Sequence, residues 1–112
     1  MNCVVFGAGA WGTTLAQVLV DAGQDVLVWG RNHEVIDEIN NKKTNNKFLP
    51  GVNLPTSIKA TTDIAAAFEF GQSLVLAIPA QSLRENLAAW KDIFPKDRPI
   101  ISTLKGIEAN TQ

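Results

Sequence analysis

Short apolar runs and segments of helical period take turns along this chain. "CVVF" (3–6) is continuous and rich in β-branched residues, the pattern of a strand buried on both faces. From Trp11 to Ala22 the apolar residues Trp11, Leu15, Val18, Leu19 and Ala22 fall at helical spacing, and Gly23 follows as a stop. "DVLVW" (25–29) predicts a second strand. Asn32 is placed to cap a short helix to about Asn41, with Val35, Ile36 and Ile39 on one face. Residues 40–57, "NNKKTNNKFLPGVNLPTS", are polar, carry two prolines and predict a long loop of the kind that is functional or mobile. "IKAT" (58–61) predicts a third strand and Asp63 the cap of a helix through Phe68. "SLVLAI" (73–78) predicts a fourth strand, ended by Pro79. Residues 80–94 predict a helix with Leu83, Leu87, Trp90 and Phe94 inward, and "PIISTL" (99–104) a fifth strand.

Strands alternating with helices imply an α/β domain: a doubly wound, mostly parallel sheet with helices on both faces and strand order 3-2-1-4-5. At 112 residues the chain is one domain, residues 1–112.

The candidate chemistry begins where the first strand meets the first helix. Gly7, Gly9 and Gly12 spell G-x-G-x-x-G in the context that motif needs. Gly7 permits the tight turn, Gly9 lets a pyrophosphate approach the backbone, and Gly12 lets the helix lie close on the strand. The helix N-terminus near Ala10 then faces the phosphates. The pattern reads as the phosphate-binding turn of a Rossmann-type fold, against the alternative that the glycines merely permit a tight strand–helix turn. A fold of this kind that prefers NAD ends its second strand with Asp or Glu. Here "VWGRN" offers Arg31 instead, suited to a 2′-phosphate unless it is simply a solvated surface arginine, so NADP(H) is favoured and NAD(H) is allowed. His33 could assist or simply be solvated. Ligands of such sheets bind outside the carboxyl ends of the strands. Pro79 stands at one such end, where it either borders the crevice or only breaks the strand. Lys105 follows another, where it could bind an anionic substrate or polarise a carbonyl, or simply be a surface lysine.

Hydrophobic residues make up 46% of the chain and the formal net charge is −1, which excludes a disordered chain and a strongly basic nucleic-acid footprint. No apolar run approaches the ~20 residues of a membrane span, and no signal peptide is legible, so no membrane partner is expected. Cys3 is the one cysteine; it reads as a buried strand residue in a reducing, cytoplasmic setting.

Five segments in order, "FGAGAWGTTLA", "VWGRN", "FLPGVNLP", "AIPAQSLR" and "STLKGIE", resemble the bacterial NAD(P)-dependent glycerol-3-phosphate dehydrogenases across essentially the whole chain. The resemblance implies hydride transfer between the nicotinamide and the pair sn-glycerol 3-phosphate and dihydroxyacetone phosphate, in the supply of phospholipid backbones. It implies cofactor contacts at Ala10, Trp11, Arg31 and Phe48 beside the glycines, and contact of Lys105 with both cofactor and substrate. The cofactor set expected is therefore Gly7, Gly9, Ala10, Trp11, Gly12, Arg31, Phe48, Pro79 and Lys105, with no metal site. Family members carry a second, mostly helical domain with the general acid/base lysine, so the chain reads as a cofactor-binding half, inactive alone, of an enzyme compatible with a homodimer. Ala10 departs from the serine many members have. The competing readings are the cofactor half of a dehydrogenase for another hydroxy acid or sugar acid, and a free-standing nucleotide-sensing module.

Overall fold

Cys3, Val4, Val5 and Phe6 are all buried, as a central strand requires, and they form β1 (Asn2–Phe6). The computed structural model describes residues 1–78, 80–95 and 97–102. β1 lies in the middle of a five-stranded sheet, between β2 (Asp25–Trp29) and β6 (Ser73–Leu76). β5 (Lys59–Thr61) and β7 (Ile100–Ser102) lie outside them, and every pairing is parallel. The order β5-β2-β1-β6-β7 is the 3-2-1-4-5 expected from the alternation.

Alternation along β1 divides the core into two layers. Val5 pairs in register with Val28 and Val75 and faces α1 (Ala10–Asp21) and α2 (His33–Lys42). Val4 and Phe6 face the other way, toward α3 (Ile64–Phe70) and α4 (Ala80–Trp90). There Phe6, Trp29, Phe68, Trp90 and Phe94 form a cluster, with Trp29 and Trp90 edge to face at 5.0 Å. Burial also pushes the Cys3 thiol above its ordinary pKa, which disfavours the reactive thiolate.

The expected caps form. Asn32 Oδ1 accepts from the N–H groups of Glu34 (2.9 Å) and Val35 (3.3 Å). Asp63 Oδ1 accepts from Ala65 (3.0 Å) and Ala66 (3.3 Å). Each such cap contributes about 1 kcal/mol. α2 also covers the outer edge of β5: Asn40 Nδ2 donates to Ala60 O, and Ala60 N donates to Asn40 Oδ1, both at 2.8 Å. A side chain thus takes the place of a further strand and blunts an edge open to association.

Three expectations need correction: the single loop over 40–57, the bounds of the fourth and fifth strands, and the end of the helix over 80–94. Residues 40–57 are not one loop: α2 runs on to Lys42, Lys43 turns left-handed (φ 54°), and β3 (Thr44–Asn45) pairs antiparallel with β4 (Leu49–Asn53). Side-chain hydrogen bonds and an irregular register hold this ribbon rather than apolar alternation, so the hydrophobic pattern carries no trace of it. On α1, Trp11 (53% exposed) and Val18 (57%) face outward, while Gly12, Thr13 and Ala16 form the buried stripe. Small residues occupy that stripe because the helix lies so close to the sheet. β6 ends at Leu76, short of the expected Ile78; β7 starts at Ile100 rather than at Pro99, and positions 103–104 of the expected fifth strand lie outside the described residues. α4 ends at Trp90, after which Ile93 and Phe94 donate backbone bonds to the Trp90 carbonyl in a closing turn.

Candidate cofactor cleft

The carboxyl ends of the central strands are tied to the loops that leave them. Gly7 N donates to Trp29 O (2.8 Å), Ala77 N to Phe6 O (2.9 Å) and Gly30 N to Thr61 O (3.1 Å). Beyond these bonds the connections part: β1 leads to α1 on one face of the sheet, and β6 leads to α4 on the other. A cleft of about 470 Å³ opens at that divergence, the place where open α/β sheets take their ligands.

The three glycines do three different things there. Gly7 has φ +126°, and a Cβ on it would lie 2.8 Å from Ala77 O. A Cβ on Gly12 would lie 1.9 Å from Gly7 O, inside the contact between helix and loop. Gly9 is the opposite case: a Cβ there would meet nothing within 4 Å, and its φ of −74° suits any residue. The fold requires the first and third glycines but not the second. What Gly9 leaves bare is backbone facing open space at the N-cap of α1, where no side chain caps the helix.

The rest of the wall comes from α1, the segment after β2, α4 and the β3–β4 turn. Ala10 and Trp11 belong to the first turn of α1; Gly30, Arg31 and Asn32 follow β2; Ser82 and Asn86 project from α4. Phe48, 42% exposed, reaches the cleft from the turn between β3 and β4. Trp29 forms part of the wall while its Nε1 donates to Thr62 O (3.1 Å). Arg31 is the one charged side chain among the described lining residues, and no carboxylate is among them. Asp25 sits at the opposite end of β2, and His33, exposed at the start of α2, does not line the cleft.

Of the residues expected from sequence, Gly7, Gly9, Ala10, Trp11, Gly12, Arg31 and Phe48 come together around this one cleft. Pro79 and Lys105 lie outside the described residues. Ser82 and Asn86 were not anticipated, although they stand four apart on a helix whose inner positions are apolar. Asn45 was missed as well. It is fully buried, and its Nδ2 donates to Ala8 O and to Thr13 Oγ1, each at 2.9 Å. Flanking it, Glu38 Oε2 accepts from Thr44 Oγ1 (2.6 Å) and Asn46 N (2.9 Å). The Thr44 hydroxyl and then the Asn46 amide hold the Glu38 carboxyl below its ordinary pKa.

The fit to a dinucleotide is good on these grounds: bare backbone at Gly9, an uncapped helix start, and a lone cation where β2 ends. Fold and cleft together define a Rossmann-type α/β domain. The sequence matches the family described as NAD-dependent glycerol-3-phosphate dehydrogenase N-terminus over residues 2–112, and the chain belongs to that family. It is 45% identical over 108 residues to a Streptomyces avermitilis protein named glycerol-3-phosphate dehydrogenase (NAD(P)+), covering 96% of this chain and 32% of that protein. A Corynebacterium glutamicum protein of the same name is 47% identical over 107 residues, again 96% and 32% of the two chains. Among solved structures, glycerol-3-phosphate dehydrogenase from Coxiella burnetii superposes with a TM-score of 0.81 at 30% identity, over 90% of this chain and 31% of that one. The chain thus spans about a third of the length of the curated relatives it matches. Among the described residues no helix is long and apolar enough to cross a membrane.

Proposed function

We propose that this chain is the cofactor-binding domain of a glycerol-3-phosphate dehydrogenase and holds NADP(H) in preference to NAD(H). The observation that carries the proposal is the bare Gly9 backbone, at an uncapped helix start, in a cleft whose described lining holds one cation and no carboxylate. The pyrophosphate lies along Gly9 and the first turn of α1, where N–H donors and the helix dipole favour negative charge. The adenosine ribose lies at Gly30 and Arg31, beyond β2. Arg31 donates to the 2′-phosphate, and the lack of a carboxylate removes both the usual grip on a free ribose diol and the repulsion of a phosphate. Ala10, Trp11 and Phe48 border the cofactor at the mouth of the cleft.

When bound, the cofactor supplies the hydride chemistry; these residues hold and orient it. In the whole enzyme the reaction proposed is the interconversion of sn-glycerol 3-phosphate and dihydroxyacetone phosphate, which feeds phospholipid synthesis. Pro79 and Lys105 belong to the same proposed site, with Lys105 contacting both cofactor and substrate.

Titration of the chain with NADPH and with NADH, followed by nicotinamide fluorescence, tests the cofactor assignment. NADPH binds more tightly by about tenfold or more, the worth of a hydrogen bond to a charged group. Arg31→Ala brings NADPH down to the NADH level and leaves NADH unchanged. An Arg31→Ala variant that weakens both cofactors equally would contradict the 2′-phosphate assignment.

A further inference from the structure

Asn45 is a costly residue to bury where it is. It is fully buried, and its Oδ1 has no hydrogen-bond partner among the described residues. An unpaired buried acceptor is unfavourable, and a leucine of similar size would avoid it. Packing alone therefore does not account for an asparagine. Its amide nitrogen does: both Nδ2 hydrogens are used, one on Ala8 O and one on Thr13 Oγ1. Thr13 Oγ1 in turn donates to Ala8 O at 3.3 Å, which closes a triangle on that carbonyl. Neither leucine nor aspartate supplies two such donors.

Ala8 stands between Gly7 and Gly9, and its carbonyl belongs to the Ala8–Gly9 peptide. That peptide is planar and trans, so its N–H points opposite to its C=O. A carbonyl drawn inward to Asn45 turns the Gly9 N–H outward. Gly9 on the far side of this peptide leaves its plane otherwise loosely determined. Asn45 itself is held firmly, because the residues on either side of it are bonded to Glu38 on α2.

We infer that Asn45 is a positioning residue: it pins the Ala8 carbonyl and so aims the Gly9 N–H at the place where a ligand pyrophosphate lies. The inference rests on the dinucleotide reading above.

The experiment compares the wild-type chain with Asn45→Leu, Thr13→Val and Thr13→Ser, by thermal melting, NADH titration and the amide resonance of Gly9 in the free chain. Asn45→Leu keeps or raises the melting temperature, weakens NADH by about tenfold, and moves the Gly9 resonance. Thr13→Val weakens NADH as well, whereas Thr13→Ser, which retains the hydroxyl, binds as wild type does. Wild-type affinity in Asn45→Leu, or loss of binding only in proportion to unfolding, would overturn the inference. If Asn45→Leu does not fold, the valine and serine variants at Thr13 decide alone, and equal affinity in the two overturns it. A wild-type chain that binds no NADH overturns the dinucleotide reading itself, and the inference with it.

Discussion

Gly12→Ala unfolds or nearly unfolds this domain. The added Cβ would lie 1.9 Å from Gly7 O and 2.8 Å from Gly7 C. Both are backbone atoms of the turn out of β1, so no side chain can swing aside. Relief requires α1 to move off the sheet, where Ala16, fully buried, packs with Val5 and Val28. Overpacking a tight contact costs about 1–3 kcal/mol and more where only backbone can yield. A loss of roughly 3 kcal/mol in a domain of this size lowers the melting temperature by more than about 10 °C. Circular-dichroism melts of wild type and variant check it, and a variant melting within a few degrees of wild type would refute the close-contact role of Gly12.

Gly9→Ala has the opposite signature. Its Cβ enters open space at a permitted φ, so the fold is undisturbed, and the stability stays within about 1 kcal/mol of wild type, a melting-temperature change of at most about 8 °C. Binding suffers instead. A methyl group at that position keeps a pyrophosphate off the first-turn N–H groups. Losing two charge-assisted hydrogen bonds weakens NADPH by about 100-fold. Two alanine substitutions three residues apart thus separate folding from binding. A Gly9→Ala chain that binds NADPH like wild type would show that the pyrophosphate does not lie at Gly9.

Much of this architecture was legible because burial on two faces leaves a simple imprint. "CVVF", "DVLVW" and "SLVL" are continuous apolar runs, and the helices between them fix the parallel order that the sheet adopts. Asn32 and Asp63 announced their helices because capping is local chemistry. The glycine turn was legible for the same reason, all three positions lying within one strand-turn-helix unit. Trp11 and Val18 were less so: spacing marks a helix, but which stripe it buries depends on how closely it packs, and here the small residues win. The β3–β4 ribbon left no signal because its register is irregular and its flanking bonds are polar, and the pin at Asn45 left none because its bonds join residues 32 and 37 positions apart. A polar residue within a polar stretch gives no periodicity that would reveal such a contact. Pro79 and Lys105 lie outside the described residues; their place in the site rests on their position after the expected fourth and fifth strands and, for Lys105, on the family resemblance as well.

The central claim is that a dinucleotide lies across the glycine turn, with its pyrophosphate at Gly9 and its adenosine ribose at Arg31. The most direct test is a titration of the isotope-labelled chain with NADPH, followed through its backbone amide resonances. The expected result is saturable shifts concentrated at Gly7, Gly9, Ala10, Gly12 and Arg31, with the amides of Ile93 and Ile100 unmoved. Saturable shifts centred elsewhere, or none at any concentration, would contradict it.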